Sequence, residues 1–207
     1  MSGETDIGEN ATKSCAIAIL GMHRSGTSML AGSLRNAGVY FGGVLEKPSA
    51  RNPKGLHEAP AILFMQEDLL LKNGGSWHQP PESVVWQPMH KAVRDLFIES
   101  RKEKTFWAFK DPRTLLTLEG WFEVLPDLKC IGIFRHPAEV AASLESRNRF
   151  EFEKCLTIWR AYSLKLIEHT KSAEIPIIEF VRDPSAMQAS VQTVLERFGL
   201  PAQQASE

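Results

Sequence analysis

The stretch "AIAILGMHRSGTSMLAGSL", Ala16 to Leu34, constrains the fold more than any other part of the chain. It begins as a short, almost continuous apolar run, the pattern of a strand buried on both faces. Glycines at 21 and 26 then bracket a loop, and Met29, Leu30, Ser33 and Leu34 follow at helical spacing. Strand, glycine-bearing loop and helix in that order make a cradle for an anion, because N–H groups of the loop and of the helix N-terminus converge there. A nucleotide-hydrolysing loop reads G-x-x-x-x-G-K-[ST], with the lysine reaching the β- and γ-phosphates. Here the spacing from Gly21 to Gly26 holds, but Thr27 stands at the lysine position and the cation, Arg24, lies inside the loop. The loop suits an anion and lacks the side chain on which ATP or GTP hydrolysis depends.

Downstream, strand-like and helix-like patterns alternate. Residues Val39 to Pro60 are rich in Gly, Pro and Asn and read as a long connection, and so does "NGGSWHQPPESVVWQP". Between them "AILFMQEDLLLK" reads as a helix. "MHKAVRDLFIESRKE" is predicted to be another, with Val93, Leu96, Phe97 and Ser100 on one face. "FWAFKD", "KCIGIFR" and "IPIIEF" read as further buried strands. "PAEVAASLESRN" opens with proline, favoured at the first helical position. Cys155, Ile158, Trp159, Tyr162 and Leu166 form a helical stripe expected to face the core, and Met187, Val191, Val194, Leu195 and Phe198 mark a last amphipathic helix. The pattern predicts an α/β protein: a three-layer, P-loop NTPase-like fold whose mostly parallel central sheet is flanked by helices.

Composition narrows the function. With 207 residues, 43% of them hydrophobic, the chain is long enough to bury one core. We expect a single domain over 14–201, between a polar tail at 1–13 and a short one at 202–207. A formal net charge of −1 speaks against a broad basic surface for nucleic acid. Any anion site must be local. Cys15, Cys130 and Cys155 form no CxxC pair, and an odd scattered set is not a disulfide framework. A reducing cytoplasm is the expected location. No apolar run approaches the roughly 20 residues that span a bilayer.

A second constellation is "IGIFRHPAEVAASL". Arg135 ends a strand, the end at which open α/β sheets bind ligands, and Ser143 lies two turns into the next helix. Alone, each has a structural explanation: a strand-end ion pair, a small packing residue. Together with the loop, "HRSGTS" and "RHPAEVAAS" resemble the signatures by which sulfotransferases hold 3′-phosphoadenosine 5′-phosphosulfate (PAPS). In that family the first holds the 5′-phosphosulfate and the second the 3′-phosphate. The chain is most similar to small bacterial-type sulfotransferases, which also carry counterparts of "NPKGLHEA" (Asn52 to Ala59), "KDPR" (Lys110 to Arg113) and the tryptophan-bearing "CLTIWRAYSLKL". The likeness runs from about Cys15 to Leu200.

The resemblance implies sulfonyl transfer from PAPS to a hydroxyl or amine, with no metal required and a small-molecule or carbohydrate acceptor. Arg24, Ser25, Gly26, Thr27 and Ser28 would hold the phosphosulfate, and Arg135 and Ser143 the 3′-phosphate. Arg24 and Lys110 would stabilise charge on the sulfonyl and leaving oxygens, with a salt bridge as the lesser reading of Lys110. Glu58 is the preferred base, with His57 and Asp111 as alternatives. The cytosolic family members place a histidine after their "K-T" on the middle strand, where this chain has "KDP". Asp111 and Arg113 read as a structural pair. Trp77, His78 and Trp86 line an acceptor pocket or pin a loop. The adenine-binding "R-K-G-x-x-G" element is absent, which leaves Arg182 as one candidate for base recognition. Two other readings stand beside this one: a P-loop nucleoside or nucleotide kinase using ATP with magnesium, and a non-catalytic nucleotide-binding module.

Overall fold

Four short strands, β1 (Cys15–Leu20), β2 (Phe106–Lys110), β3 (Lys129–Phe134) and β4 (Ile177–Glu179), pair in parallel in the order β2-β1-β3-β4. The protein is seen here as a computed structural model that describes residues 14–45 and 55–200. Asn52, Pro53 and Lys54 of the "NPKGLHEA" stretch lie outside the described residues, as do both tails. Between β1 and β2 come α1 (Thr27–Asn36), α2 (Pro60–Lys72) and α3 (Pro88–Glu99). Two short helices, α4 (Thr114–Thr117) and α5 (Glu119–Phe122), lead into β3. Then α6 (Pro137–Asn148) and α7 (Phe152–Ser172) lead to β4, and α8 (Pro184–Arg197) closes the chain.

The period-2 alternation of the strands divides the core into two layers. Ala16, Ala18 and Leu20 of β1 face one side, with Trp107, Phe109 and Cys130. Ile17 and Ile19 face the other, with Ala108, Ile131 and Ile133. The first side is covered by buried residues of α2 to α7, the second by α1 and α8. The large aromatics of β2 fill the thicker layer, where Phe109 stacks on Trp121 with ring centroids 4.2 Å apart. The expected three-layer α/β architecture is therefore the one observed. No helix among the described residues is long and apolar enough to cross a membrane.

The chain turns from β1 to β2 on one side and later to β3 on the other. The gap between β1 and β3 is thus the point at which strand order reverses, where sheets of this kind bind ligands beyond the strand C-termini. The glycine loop leaves β1 at that edge, and Arg135 follows β3 at the same edge.

The four residues expected to share one face of α3 do so, but that face is not the one most deeply buried. Helix α3 buries His90, Arg94 and Phe97, whereas Leu96 is 71% exposed and Ser100 also faces solvent. A buried arginine is counter to hydrophobic patterning. Arg94 is accepted because its guanidinium donates to the Gly120 carbonyl and to Glu123 and lies 5.1 Å from the Trp86 ring. Hydrogen bonds and a ring face replace the water it loses.

Candidate active site

The loop after β1 is tightly folded, and its glycines are required by space as well as by conformation. A Cβ on Gly21 would sit 2.5 Å from the Ile133 carbonyl oxygen. Gly26 has φ 96° and lies against the Phe180 ring, so a side chain there would be both strained and blocked. Arg24 adopts φ 70°, a left-handed conformation uncommon for a residue with a Cβ and frequent at binding sites. Gly26 is also the N-cap of α1, and no side chain caps that helix end. The first-turn N–H groups are therefore left for a partner other than a capping side chain.

The guanidinium of Arg24 reaches across to α6, where its Nε donates to Ser143 Oγ at 2.7 Å. Arg135 Nη1 donates to the Arg24 carbonyl at 3.4 Å, while its Nε pairs with Glu139 at 2.6 Å and its plane lies 4.7 Å from the Phe180 ring. The two sequence signatures, more than a hundred residues apart, are joined by direct hydrogen bonds. Burial, then Arg147, then Arg135 push the Arg24 guanidinium below its ordinary pKa, the mark of cations gathered in one place. Arg147 lies one helical turn beyond Ser143 on α6 and was not singled out from sequence; the i, i+4 spacing from Ser143 was the available signal. Ser25 and Thr27 are buried in the loop. Ser28 Oγ donates to the Leu56 carbonyl at 3.3 Å, which ties the loop to the segment carrying Glu58.

At the neighbouring end of β2 lies a set of paired charges. Lys110 Nζ donates to Glu58 Oε1 at 2.7 Å, and the two side chains are only 1% and 6% exposed. Asp111 accepts two hydrogen bonds from the Arg113 guanidinium, at 3.0 and 3.1 Å, and a third from the Arg113 backbone N–H. Arg113 also donates to Glu67 at 2.6 Å. Burial raises the Asp111 pKa to about 6 against the opposing pull of Arg113, and the Glu58 charge adds to the rise. The structural pairing expected of Asp111 and Arg113 is thus present, and Lys110 makes the salt bridge that was its alternative reading. His57 lies elsewhere: φ is 55°, and its Nδ1 meets Arg35 Nη1 on the flank of α1 at 3.1 Å. The structure does not bring it to Lys110 or to Arg24 by any described contact.

Residues of the 73–88 connection part company. Trp86 packs edge-on to Trp121 and covers Gly120, so it pins the connection to the core. Trp77 instead meets His23 of the glycine loop at 4.5 Å between centroids, and its carbonyl accepts from Tyr162 on α7 at 3.0 Å. His23 was overlooked in the sequence because attention fell on the arginine beside it. Its pKa is held well below the ordinary imidazole range, chiefly by burial, with Arg113, Lys110, Arg147 and Arg24 adding to it. Arg182 is exposed and paired with Glu139. Among the described residues no group of His, Cys, Asp and Glu is arranged to hold a metal ion.

Comparison with known proteins agrees with this fold. The sequence matches the model of the family described as "Sulfotransferase family" over residues 16–204. No curated protein matches the chain in sequence. Among solved structures, it is similar to the sulfotransferase domain of the Synechococcus PCC 7002 olefin synthase. The TM-score is 0.57 at 16% identity, covering 93% of this chain and 76% of that one. It is also similar to shikimate kinase from Bacteroides thetaiotaomicron, with a TM-score of 0.54, 13% identity and coverage of 90% and 99%. TT1252 from Thermus thermophilus gives a TM-score of 0.52 at 21% identity, over 89% of this chain and 98% of that one. At these identities the structural likenesses speak to fold alone.

Proposed function

Since the chain belongs to the sulfotransferase family, we propose that it transfers a sulfonyl group from PAPS to an acceptor hydroxyl or amine and releases 3′-phosphoadenosine 5′-phosphate. The observation that carries this reading is the Arg24–Ser143 hydrogen bond, with Arg135 on the Arg24 carbonyl. "HRSGTS" and "RHPAEVAAS" meet through it at the β1/β3 switch point, which supports a donor with phosphates on both its 5′ and 3′ oxygens. Uncapped N–H groups at the start of α1 and the Arg24 fork suit the oxygens of the phosphosulfate. Arg135 and Ser143 suit the 3′-phosphate.

The transfer is an in-line displacement at sulfur. The acceptor oxygen or nitrogen forms a bond to sulfur as the bond from sulfur to the 5′-phosphate oxygen breaks, and that oxygen leaves with the electron pair. Arg24 and the loop amides offset the charge that collects on it. The acceptor proton passes to the Glu58 carboxylate, which Lys110 holds in place. Lys110 gives the pair a cation that can turn toward a sulfonyl oxygen as Glu58 becomes neutral. His57, occupied by Arg35 on the flank of α1, is the weaker choice for this role.

Calorimetry of 3′-phosphoadenosine 5′-phosphate beside ATP with magnesium tests the reading. The bisphosphate is expected to bind at least ~30-fold more tightly, about 2 kcal/mol. Preference for ATP, together with strict dependence of any transfer on a divalent metal, would replace the proposal with a kinase. Binding of neither nucleotide would leave a non-catalytic module on the same fold.

A further inference from the structure

The face of α3 that carries Val93, Leu96, Phe97 and Ser100 borders a groove of about 360 Å³, whose opposite wall is the first turn of α2 at Ala59 and Pro60. The groove is largely apolar, and its size falls in the ~300–1,000 Å³ range of small-molecule sites. Neither the glycine loop nor Glu58, Lys110, Arg135 or Ser143 lines it.

The one cation lining the groove is Arg101, which is only 8% exposed. The other buried arginines among the described residues are ion-paired: Arg94 with Asp95 and Glu123, Arg113 with Asp111 and Glu67. Arg101 has no carboxylate partner among them. Its Nη1 donates to the Phe97 carbonyl at 3.0 Å and to Ser100 Oγ at 2.6 Å, and its Nη2 donates to the Phe41 carbonyl at 3.3 Å. The guanidinium lies 3.5 Å from the centre of the Phe97 ring. Of its five N–H donors, these bonds leave one on Nη2 and the one on Nε, which is buried without a partner. A cation taken out of water without an anion is costly to the fold. Burial accordingly pushes the Arg101 pKa below the ordinary guanidinium value.

We propose that this groove binds a carboxylate with an apolar body, a fatty or arylalkyl acid, whose head pairs with Arg101 while its hydrocarbon lies along Pro60, Val93, Leu96 and Phe97. Two remaining donors match the two oxygens of a carboxylate. A phosphate monoester would bring a second charge with no second cation to meet it. Arg101 follows the end of α3 and belongs to no helix or strand, so its side chain can turn those donors toward the groove. The N-terminus of α2 on the opposite wall has no side-chain cap and favours the same sign of charge. Leu96, 71% exposed, supplies apolar surface that the core does not use.

The test is calorimetric titration of the full chain with octanoate, octanol and acetate. Octanoate is expected to bind at least ~10-fold more tightly than octanol, which lacks the charge. Acetate, which lacks the chain, is expected not to bind measurably. Arg101→Met should abolish the preference for octanoate over octanol. Leu96→Glu sets a like charge on an exposed part of the wall and should weaken octanoate about fivefold; it keeps the test decisive if Arg101→Met fails to fold. Equal binding of octanoate and octanol, binding of neither, or an affinity indifferent to Leu96→Glu overturns the proposal. So does loss of octanoate binding in Arg24→Ala, which would put the carboxylate in the glycine loop. None of these outcomes bears on the binding of 3′-phosphoadenosine 5′-phosphate, so this inference and the sulfotransferase reading fail separately.

Discussion

The mouths of β1 and β2 lie side by side and arrange charge differently. At the β1/β3 mouth Arg24 hydrogen-bonds a neutral hydroxyl and is pressed by Arg147 and Arg135. At the β2 mouth Lys110 is matched by Glu58, and Arg113 by Asp111 and Glu67. In the first, Arg24, Arg135 and Arg147 act on one another, and Glu139 pairs with Arg135. The second sets two cations against three carboxylates, each joined to a partner by an ion pair. A site for displacement at a sulfonyl group needs both: one half that binds phosphates, and one that holds a proton acceptor in place without competing for them.

The sharpest way to break the comparison is at the β2 mouth. Glu58→Ala would leave Lys110 buried without its carboxylate, at an expected cost of about 3–5 kcal/mol. At ~2–4 °C per kcal/mol for a chain of this size, calorimetric melting should fall by ~10 °C. Glu58→Gln keeps an oxygen for Lys110 and should fold, yet lose turnover with donor affinity unchanged. Full turnover in that variant would remove Glu58 as the base.

At the other mouth the loss should appear in binding and not in folding. Arg24→Ala is expected to weaken 3′-phosphoadenosine 5′-phosphate by roughly 100-fold, about 3 kcal/mol, with little change in melting temperature. A melting drop comparable to that of Glu58→Ala would show that both mouths are structural. Arg135→Ala should cost the same nucleotide about tenfold and leave adenosine 5′-phosphate almost untouched. Equal losses for the two would contradict the 3′-phosphate assignment.

The remaining effects lie in pH. Asp111 has a folded pKa of about 6, above the unfolded carboxylate range. Between roughly pH 4 and 6 the folded state therefore binds more protons than the unfolded one, and this group's contribution to stability declines as pH rises through that window. His23 works in the same direction as a depressed carboxylate: its stabilisation is present above the unfolded imidazole pKa and is lost as pH falls below it. Proton NMR of the His23 ring should show titration well on the acid side of an ordinary histidine, moving upward when the bisphosphate nucleotide binds. A His23 that titrates normally in the free protein would mean that the ring is neither buried nor pressed by the cations of the two mouths.

Much of the site was legible in the chain because its chemistry is local. The Gly21–Gly26 spacing, Arg24, and the Arg135/Ser143 pair are each read within one strand–loop–helix unit, and strand ends in such a sheet meet at one edge by topology. The Lys110–Glu58 pair was less legible. Both residues could be named, but nothing in sequence says that they would be 2.7 Å apart. His23 and Arg147 were missed because their significance lies in what surrounds them. Which face of α3 is buried was not legible for a related reason: Arg94 can be buried only with the Gly120 carbonyl and the Trp86 ring as partners, and those come from other segments.

The sequence by itself determined the parallel α/β architecture, the glycine loop without a Walker lysine and the family signatures, since periodicity, glycine positions and short motifs act over a few residues. Tertiary structure alone decided which charges are paired and which converge. It separated Trp77, which faces the loop, from Trp86, which faces the core, and it placed His23 among four cations. Those outcomes depend on burial and on distances between remote segments, and electrostatic energies change steeply with both.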